Sequence, residues 1–179
     1  MKKILLLLFA FTLSLASCKK DDKDDSNTEP APQTYEQRIE GEWDLVAVSY
    51  DTEIPDLTGG GSPTPIAGNG KDVSGDFNLT RDPNRVVYDL NFKAELDPFG
   101  TGSGFEIPVN FESSGDWTTT SDASKLIVTD DMGEEIIFDV EVNEQNKQVF
   151  SSAITESVDL LGFPLSLEVD LLLTFERDN

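Results

Sequence analysis

The alternation of apolar and polar residues along residues 86–96, broken only at Val87, is the feature that most constrains the fold of this 179-residue chain. Side chains of a β-strand point to opposite faces in turn, so the pattern predicts a strand with one buried and one solvated face. Residues 105–111 and 165–175 repeat the pattern. Strands that are buried on one face only are typical of antiparallel sheets, and we therefore predict an all-β protein.

Short polar segments separate these strands. Residues 130–133 and 144–147 have the composition of tight turns, and each favours a hairpin between two strands. Successive hairpins predict an antiparallel up-and-down meander of about eight to nine strands, and closure into a barrel removes the unpaired edges of such a sheet. Pro108 has no N–H, so we expect its strand to lie at an edge or to contain a bulge.

The beginning of the folded part is less regular. Residues 34–39 are expected to form one helical turn, with Thr34 as its cap and Gln37 completing a capping box. Residues 43–50 alternate only in part, which we interpret as a strand covered on both faces. Residues 51–71 are rich in Pro and Gly. We expect an irregular loop there, which in a compact domain is functional or disordered.

The N-terminal residues resemble a bacterial lipoprotein signal. Lys2 and Lys3 precede an apolar segment at residues 4–15 that is too short to span a bilayer. Two small residues then precede Cys18, which is the only cysteine of the chain. The resemblance implies that residues 1–17 form a cleaved signal peptide. It also implies that Cys18 carries the lipid that anchors the protein to a membrane.

A charged and polar segment follows the cysteine. Residues 18–33 have few apolar side chains to bury, so we predict a flexible acidic tether. Lys20, Asp21 and Asp22 resemble the export signal that, in one group of Gram-negative bacteria, routes lipoproteins to the outer face of the outer membrane. We therefore expect a lipid-anchored outer-membrane protein at the cell surface, with a periplasm-facing lipoprotein as the alternative.

The charge of the chain argues against one class of partner. The chain has 13 Lys and Arg against 35 Asp and Glu, which gives a net charge of −22. Removal of residues 1–17 takes away Lys2 and Lys3 but no acidic residue, so the charge becomes −24. A domain this acidic repels phosphate groups, and we expect no nucleic-acid partner.

Residue types also limit the chemistry. The chain has no histidine, and the lipid would occupy its one cysteine. Catalysis by His triads, the usual zinc, copper and iron sites, and disulfides are therefore excluded. Residues 130–135 lack the alternating oxygen ligands of an EF-hand and favour a hairpin tip instead of a calcium site. Paired carboxylates of the glycosidase type stay open, because 35 acidic residues form many pairs by chance. We predict a protein that is not an enzyme and that has no cofactor or metal.

Gly41 and Trp43 form a Gly-x-Trp motif directly after the predicted helical turn. Together with the lipoprotein signal, the acidic tether and a Ser-Gly-x-Trp segment at residues 114–117, this layout resembles the lipocalin-like domains of small bacterial lipoproteins of the Bacteroidota type, in the calycin superfamily. The resemblance implies a lipocalin-like barrel over residues 34–179. It also implies that Trp43 closes the barrel floor and that Arg177 packs across it by a cation–π contact, which stabilises the fold.

Two functions follow from these observations. In the first, which the resemblance implies, the barrel binds a small hydrophobic ligand, because an eight-stranded barrel is wide enough either for its side chains or for one small molecule. The candidate lining residues are Tyr88, Leu90, Phe92, Phe105, Phe111 and Phe138. In the second, these side chains are a filled core, and the outer surface or residues 51–71 bind a protein or glycan partner at the cell surface.

Overall fold

Nine antiparallel strands and one short helix make up the residues that the structure describes. These are residues 32–56, 60–97, 104–160 and 163–177 of a computed structural model. The helix α1 is Tyr35–Ile39, and the strands are β1 Gly41–Ile54, β2 Thr64–Asn69, β3 Lys71–Thr80, β4 Arg85–Leu96, β5 Phe105–Thr119, β6 Lys125–Asp130, β7 Glu135–Asn143, β8 Lys147–Leu160 and β9 Phe163–Glu176. The prediction of an all-β protein is confirmed.

Hydrogen-bonded ladders join all nine strands into a ring. The strand order is β2-β1-β3-β4-β5-β6-β7-β8-β9, and β1 also pairs with β9, which closes the sheet in a barrel-like manner. Both β2 and β3 lie on the side of β1 opposite to β9, since β2 pairs with the second half of β1 and β3 with its beginning. The two strands share one position in the ring. The predicted meander of eight to nine strands is therefore confirmed.

The partial alternation in β1 comes from a bulge. The register against β9 shifts between Leu45 and Ala47. Val46 and Ala47 are therefore both exposed, and every second residue points inward again from Val48 onward. The expectation of a strand covered on both faces is wrong, because one extra residue in β1 explains the change of phase.

The irregular loop expected at residues 51–71 is much shorter than predicted. β1 extends into this segment, and β2 pairs with residues 49–54. Gly68 stands opposite Tyr50, and a Cβ at this glycine would lie 2.4 Å from the Tyr50 hydroxyl oxygen. The glycine that suggested a loop thus gives room to a tyrosine side chain. Pro65 is tolerated because β2 is an end strand of the sheet order.

The sequence analysis did not predict β3, although its Phe77 and Leu79 are fully buried. Gly75 has a φ of 138° and Asp72 a φ of 51°. The register against β4 also shifts at the start of the strand. From Val73 onward the odd-numbered residues face inward, but Gly75 among them has no side chain, which leaves a gap in the apolar half of the period of two by which a strand is recognised.

The helix α1 packs at the end of the ring that holds Trp43, which we call the lower end. Thr34 caps the helix and exchanges hydrogen bonds with Gln37, so the predicted capping box is confirmed. Ile39 is fully buried, and its carbonyl oxygen accepts a hydrogen bond of 2.7 Å from the Trp43 indole N–H. The helix is thereby fixed to the first strand.

Five buried rings, which we call the aromatic cluster, fill the lower half of the ring. They are Phe77, Tyr88, Phe138, Phe150 and Phe175. Phe77 lies at their centre, since its ring contacts each of the other four at centroid distances of 5.2 to 6.1 Å. Side chains therefore occupy the space at this end.

β6 and β7 are shorter than the strands beside them. β6 pairs with residues 115–119 of β5, and β7 pairs with residues 148–151 of β8. β5 and β8 extend above these two short strands. In the part of the chain that the structure describes, residues 105–113 of β5 pair only with β4, and residues 152–160 of β8 pair only with β9. We call the gap between these two segments, above the β6–β7 turn, the side window.

The β5 edge of the side window contains Pro108. This residue pairs with Lys93 of β4 on one side of the strand, which confirms the predicted edge position. β5 is one continuous strand that extends to Thr119, well beyond the alternating pattern at residues 105–111. Its Gly115 lets β6 approach closely, because a Cβ there would lie 2.1 Å from the Thr129 carbonyl oxygen.

Candidate functional site

An apolar pocket lies in the upper half of the ring, at the side window, and we call it the upper pocket. Its volume is about 90 Å³, and residues of both window edges line it. Among them are Ile107 and Val109 from β5 and Ile154 and Val158 from β8. These four side chains pack against the core but are only partly buried. The upper pocket is therefore an apolar site beside two strand edges, not a closed void in the core.

Three polar side chains reach the upper pocket from the inner face of the sheet. The Tyr50 hydroxyl donates to the carbonyl oxygen of Glu95 and accepts from its N–H, both at 2.8 Å. The Thr52 hydroxyl donates to the Glu168 carbonyl oxygen at 2.7 Å. Glu156 differs from them, since among the described residues its carboxylate accepts no hydrogen bond and forms no ion pair.

The position of Glu156 on β8 makes this carboxylate unusual. It stands directly opposite Leu167, which is 2% exposed and faces the interior. Its neighbours on the same face of β8 are Ile154 and Val158, and all three line the upper pocket. The Glu156 side chain is half-buried. Its carboxylate oxygens are not among the buried side-chain atoms that lack a partner, so solvent reaches them and the carboxylate stands at the mouth of the apolar pocket.

A second, smaller pocket lies between the upper pocket and the aromatic cluster. It has a volume of about 40 Å³, and Ile154 and Leu171 line both pockets. Tyr88 and Phe138 of the aromatic cluster bound it from the other side. This lower pocket is a packing defect at the top of a filled core.

The structure places the six predicted lining residues at three different locations. Phe92 lines the upper pocket. Tyr88, Leu90, Phe111 and Phe138 line the lower pocket. Phe105 is 40% exposed near the start of β5 and lines neither of them.

Sequence reasoning missed most of the upper pocket. Ile107, Val109 and Ile154 line it. The predicted lining consisted almost entirely of aromatic residues and did not include these aliphatic ones. The sequence did contain a signal for these residues, because every second residue of β5 and β8 faces the interior. Ile154, Glu156 and Val158 alternate with the more polar Thr155 and Ser157, which already places the glutamate on an apolar face.

Gly41, Trp43 and Arg177 come together at the lower end. The Arg177 guanidinium carbon lies 4.3 Å from the centre of the Trp43 ring. Its two terminal nitrogens donate to the carbonyl oxygens of Arg38 and Glu40, each at 2.9 Å. A Cβ at Gly41 would lie 3.3 Å from this guanidinium, so the glycine leaves it room. The three residues hold α1 against the barrel floor and are far from the upper pocket along their strands.

Burial raises the pKa of the Tyr88 hydroxyl above its usual value, with a hydrogen bond to Ser113 acting in the opposite direction. The phenol is therefore neutral at physiological pH. Tyr88 contributes an apolar ring and a neutral hydroxyl to the core and not a base or a nucleophile.

Five carboxylates form one row across the outer face of the sheet, and we call it the acidic row. Glu176, Asp44, Asp76, Asp89 and Glu112 stand opposite one another in turn on β9, β1, β3, β4 and β5. All five are exposed. Directly opposite like charges destabilise a sheet, so the acidic row costs stability.

The residues of the predicted anchor and export signal, Cys18, Lys20, Asp21 and Asp22, lie outside the described residues. Within the described ranges, no helix has the length and apolar character needed to cross a membrane. The same part of the chain contains no group of three or more acidic residues arranged to hold a metal ion.

Comparison with known proteins does not place this chain in a family. No protein-family model matches it, and no curated protein is similar enough to count as a relative.

Proposed function

We propose that this chain is a lipid-anchored protein of the cell envelope whose barrel-like domain binds a narrow apolar group in the upper pocket. The observation that carries the proposal is the apolar lining between two strand edges that have no ladder partner on the window side in the described part of the chain. Covering the partly exposed aliphatic side chains of such a site with an apolar ligand lowers the free energy, because it removes apolar surface from water. The role is one of binding and not of catalysis.

The size of the upper pocket limits the ligand. Sites for drug-sized molecules have volumes of about 300 Å³ or more. The upper pocket offers about 90 Å³. It therefore suits a single unbranched chain or one ring of a larger molecule, while the rest of that molecule stays at the side window.

A second function is favoured by the aromatic cluster. Because five rings fill the lower half, most of the interior is a core and not a cavity. In this alternative the domain is a surface-exposed module with a filled core, and it binds a protein or a glycan through its outer face.

Binding of a neutral fluorescent probe, N-phenyl-1-naphthylamine, separates the two functions. The sample is the mature chain from residue 18 with Cys18→Ser, which avoids detergent. Ile107→Trp fills the upper pocket, and Val87→Trp adds the same ring at a position on β4 that is 57% exposed. We expect Ile107→Trp to weaken binding at least tenfold, because about 60 Å² of apolar probe surface that no longer finds a buried site accounts for roughly 1.5 kcal/mol. Val87→Trp should bind as the parent does.

Absence of saturable binding by the parent chain would refute ligand binding and leave the interaction module as the function. Equal weakening by both tryptophan variants would place the probe outside the upper pocket. Thermal unfolding of each variant shows that the fold is retained.

The proposed lipid anchor and the proposed location at the cell surface have separate tests. Metabolic labelling with a clickable fatty acid should mark the wild-type protein and not Cys18→Ser. Protease treatment of intact cells should remove the wild-type domain, whereas a variant with Asp21→Ala and Asp22→Ala should be protected. Equal cleavage of both forms would contradict the export signal and leave the anchor proposal intact.

A further inference from the structure

We propose that the natural ligand of the upper pocket is a single-chain amphiphile whose head group is a protonated amine, with Glu156 as its counter-ion. This inference rests on the proposed function and names the ligand class. It begins from the one carboxylate that lines the pocket from the inner face of the sheet.

The first step is the contrast between Glu156 and the other polar groups of the upper pocket. Tyr50 and Thr52 use their hydroxyls on main-chain partners within the protein. Glu156 has no such partner among the described residues. Its carboxylate is thus the acceptor that remains for a ligand, and a charged acceptor forms stronger hydrogen bonds than a neutral one.

The second step is the depth at which the carboxylate lies. Glu156 is half-buried beside Ile154 and Val158. A ligand that enters beside these side chains covers them with its apolar part and brings its head group next to the carboxylate. A bound ligand displaces water from the carboxylate, and a cationic head group compensates for that lost hydration, whereas a neutral head group compensates less and an anion not at all.

The third step is the electrostatic field of the whole domain. The mature chain carries a net charge of −24, since loss of Lys2 and Lys3 lowers the value of −22. Glu168 and Asp170, on the outer face of β9, are exposed close to the upper pocket. This field attracts cations and repels fatty acids and anionic lipids. Local and global charge therefore select the same class of ligand.

Three probes with the same dodecyl chain test the inference. Dodecylammonium, dodecanol and dodecanoate are compared as competitors of N-phenyl-1-naphthylamine on the mature Cys18→Ser chain at pH 7, below the critical micelle concentrations of the two ions and below the solubility limit of dodecanol. We expect dodecylammonium to bind about tenfold more tightly than dodecanol, in line with the strength of a hydrogen bond to a charged group. Dodecanoate should bind more weakly than dodecanol.

Glu156→Gln should abolish the preference, so that dodecylammonium binds no more tightly than dodecanol. Glu168→Gln is the matched control, because it removes one charge from the outer face of the neighbouring strand. This variant should keep most of the preference. An equal loss of preference in both variants would show a general charge effect and overturn the role of Glu156.

The outcomes distinguish this inference from the proposed function. If the parent chain binds dodecanol and dodecylammonium equally, the amine assignment fails while apolar binding stands. If none of the three probes displaces the fluorophore and the fluorophore itself does not bind, the proposed function fails and the assignment fails with it.

Discussion

Phe77 and Tyr88 stack nearly parallel across neighbouring strands, with their ring centroids 5.4 Å apart and an angle of 15° between their planes. Phe77 is 0% exposed and contacts every other ring of the aromatic cluster. Two strands and most of the lower core therefore depend on one side chain of a strand that the sequence did not reveal.

Phe77→Ala is expected to lower the free energy of unfolding by about 3–5 kcal/mol, because it removes a buried ring and leaves a cavity. Urea denaturation measures the change. Phe105→Ala removes the same ring at a 40% exposed position and should cost about 1 kcal/mol or less. Similar losses in the two variants would contradict the central place of Phe77 in the core.

Arg177→Met is expected to destabilise the lower end by about 2–3 kcal/mol, since it removes the cation–π contact with Trp43 and two charged hydrogen bonds to carbonyl oxygens of the α1 segment. Arg177→Lys keeps the charge without the planar fork, so its loss should be intermediate. Arg81→Met is the control, because Arg81 forms a surface ion pair with Glu40, and it should cost at most about 1 kcal/mol. A loss for Arg177→Met no larger than that of the control would rule out the role of Arg177 at the barrel floor.

Asp76→Asn is expected to stabilise the protein by about 0.5 kcal/mol, because Asp76 stands between Asp44 and Asp89 in the acidic row. The gain should shrink as salt is added, since ions screen exposed charges. Unfolding by urea at low and high salt measures both effects. Asp139→Asn is the matched control and should not stabilise, because Asp139 pairs with Lys125. A gain that is the same at all salt concentrations would argue against charge repulsion.

Asp122→Asn should reduce the pH dependence of stability on the acid side. Hydrogen bonds from Thr120 and Ser124 lower the pKa of the Asp122 carboxyl from 3.8 to about 2. The lowered pKa contributes stability that is present above about pH 4 and is lost as the pH falls toward 2. The wild type should therefore exceed the variant in stability at pH 5, and the difference should narrow by pH 2.5. Urea denaturation at both pH values is the measurement, and a constant difference would contradict the assignment.

Gly115→Ala should destabilise the β5–β6 pair strongly, by about 2 kcal/mol or more, because the close approach of backbone leaves no room for a methyl group. The added Cβ would lie 2.1 Å from the Thr129 carbonyl oxygen and 2.7 Å from the Cα of Asp130. Gly60→Ala is the control, since no heavy atom would lie within 4 Å of a Cβ at this position. Thermal unfolding of the two variants compares them directly. Equal melting temperatures would show that β6 can move away without cost.

The alternating pattern was sufficient to predict the fold class, because each regular strand carries its own evidence for one buried face. The strand β3 escaped prediction because one of its inward positions is Gly75, which has no side chain to mark the buried face. The bulge in β1 had the opposite effect, as it made an ordinary one-sided strand look like one covered on both faces. Both errors come from single positions, a glycine without a side chain in β3 and one extra residue in β1.

The upper pocket could be predicted only in part. Turn residues at 130–133 predicted a hairpin, and the structure has β6 and β7 on its two sides. The side window depends instead on how far β5 and β8 extend beyond that hairpin, and strand length relative to neighbours is a property of the assembled sheet. The sequence pattern places Glu156 on an apolar face of its strand. Only the register, which sets it opposite the buried Leu167, shows that this face points into the ring.

The pairing of β1 with β9 sets the order in which the domain can form. Asp44 finds its partner Glu176 near the other end of the chain, so the ring stays incomplete until the last strand is present. Contacts this distant in sequence are slow to form, and an unpaired first strand is a site for aggregation in the meantime. Closure of the ring is therefore a late step, and loss of β9 would leave β1 and β8 each with an open edge.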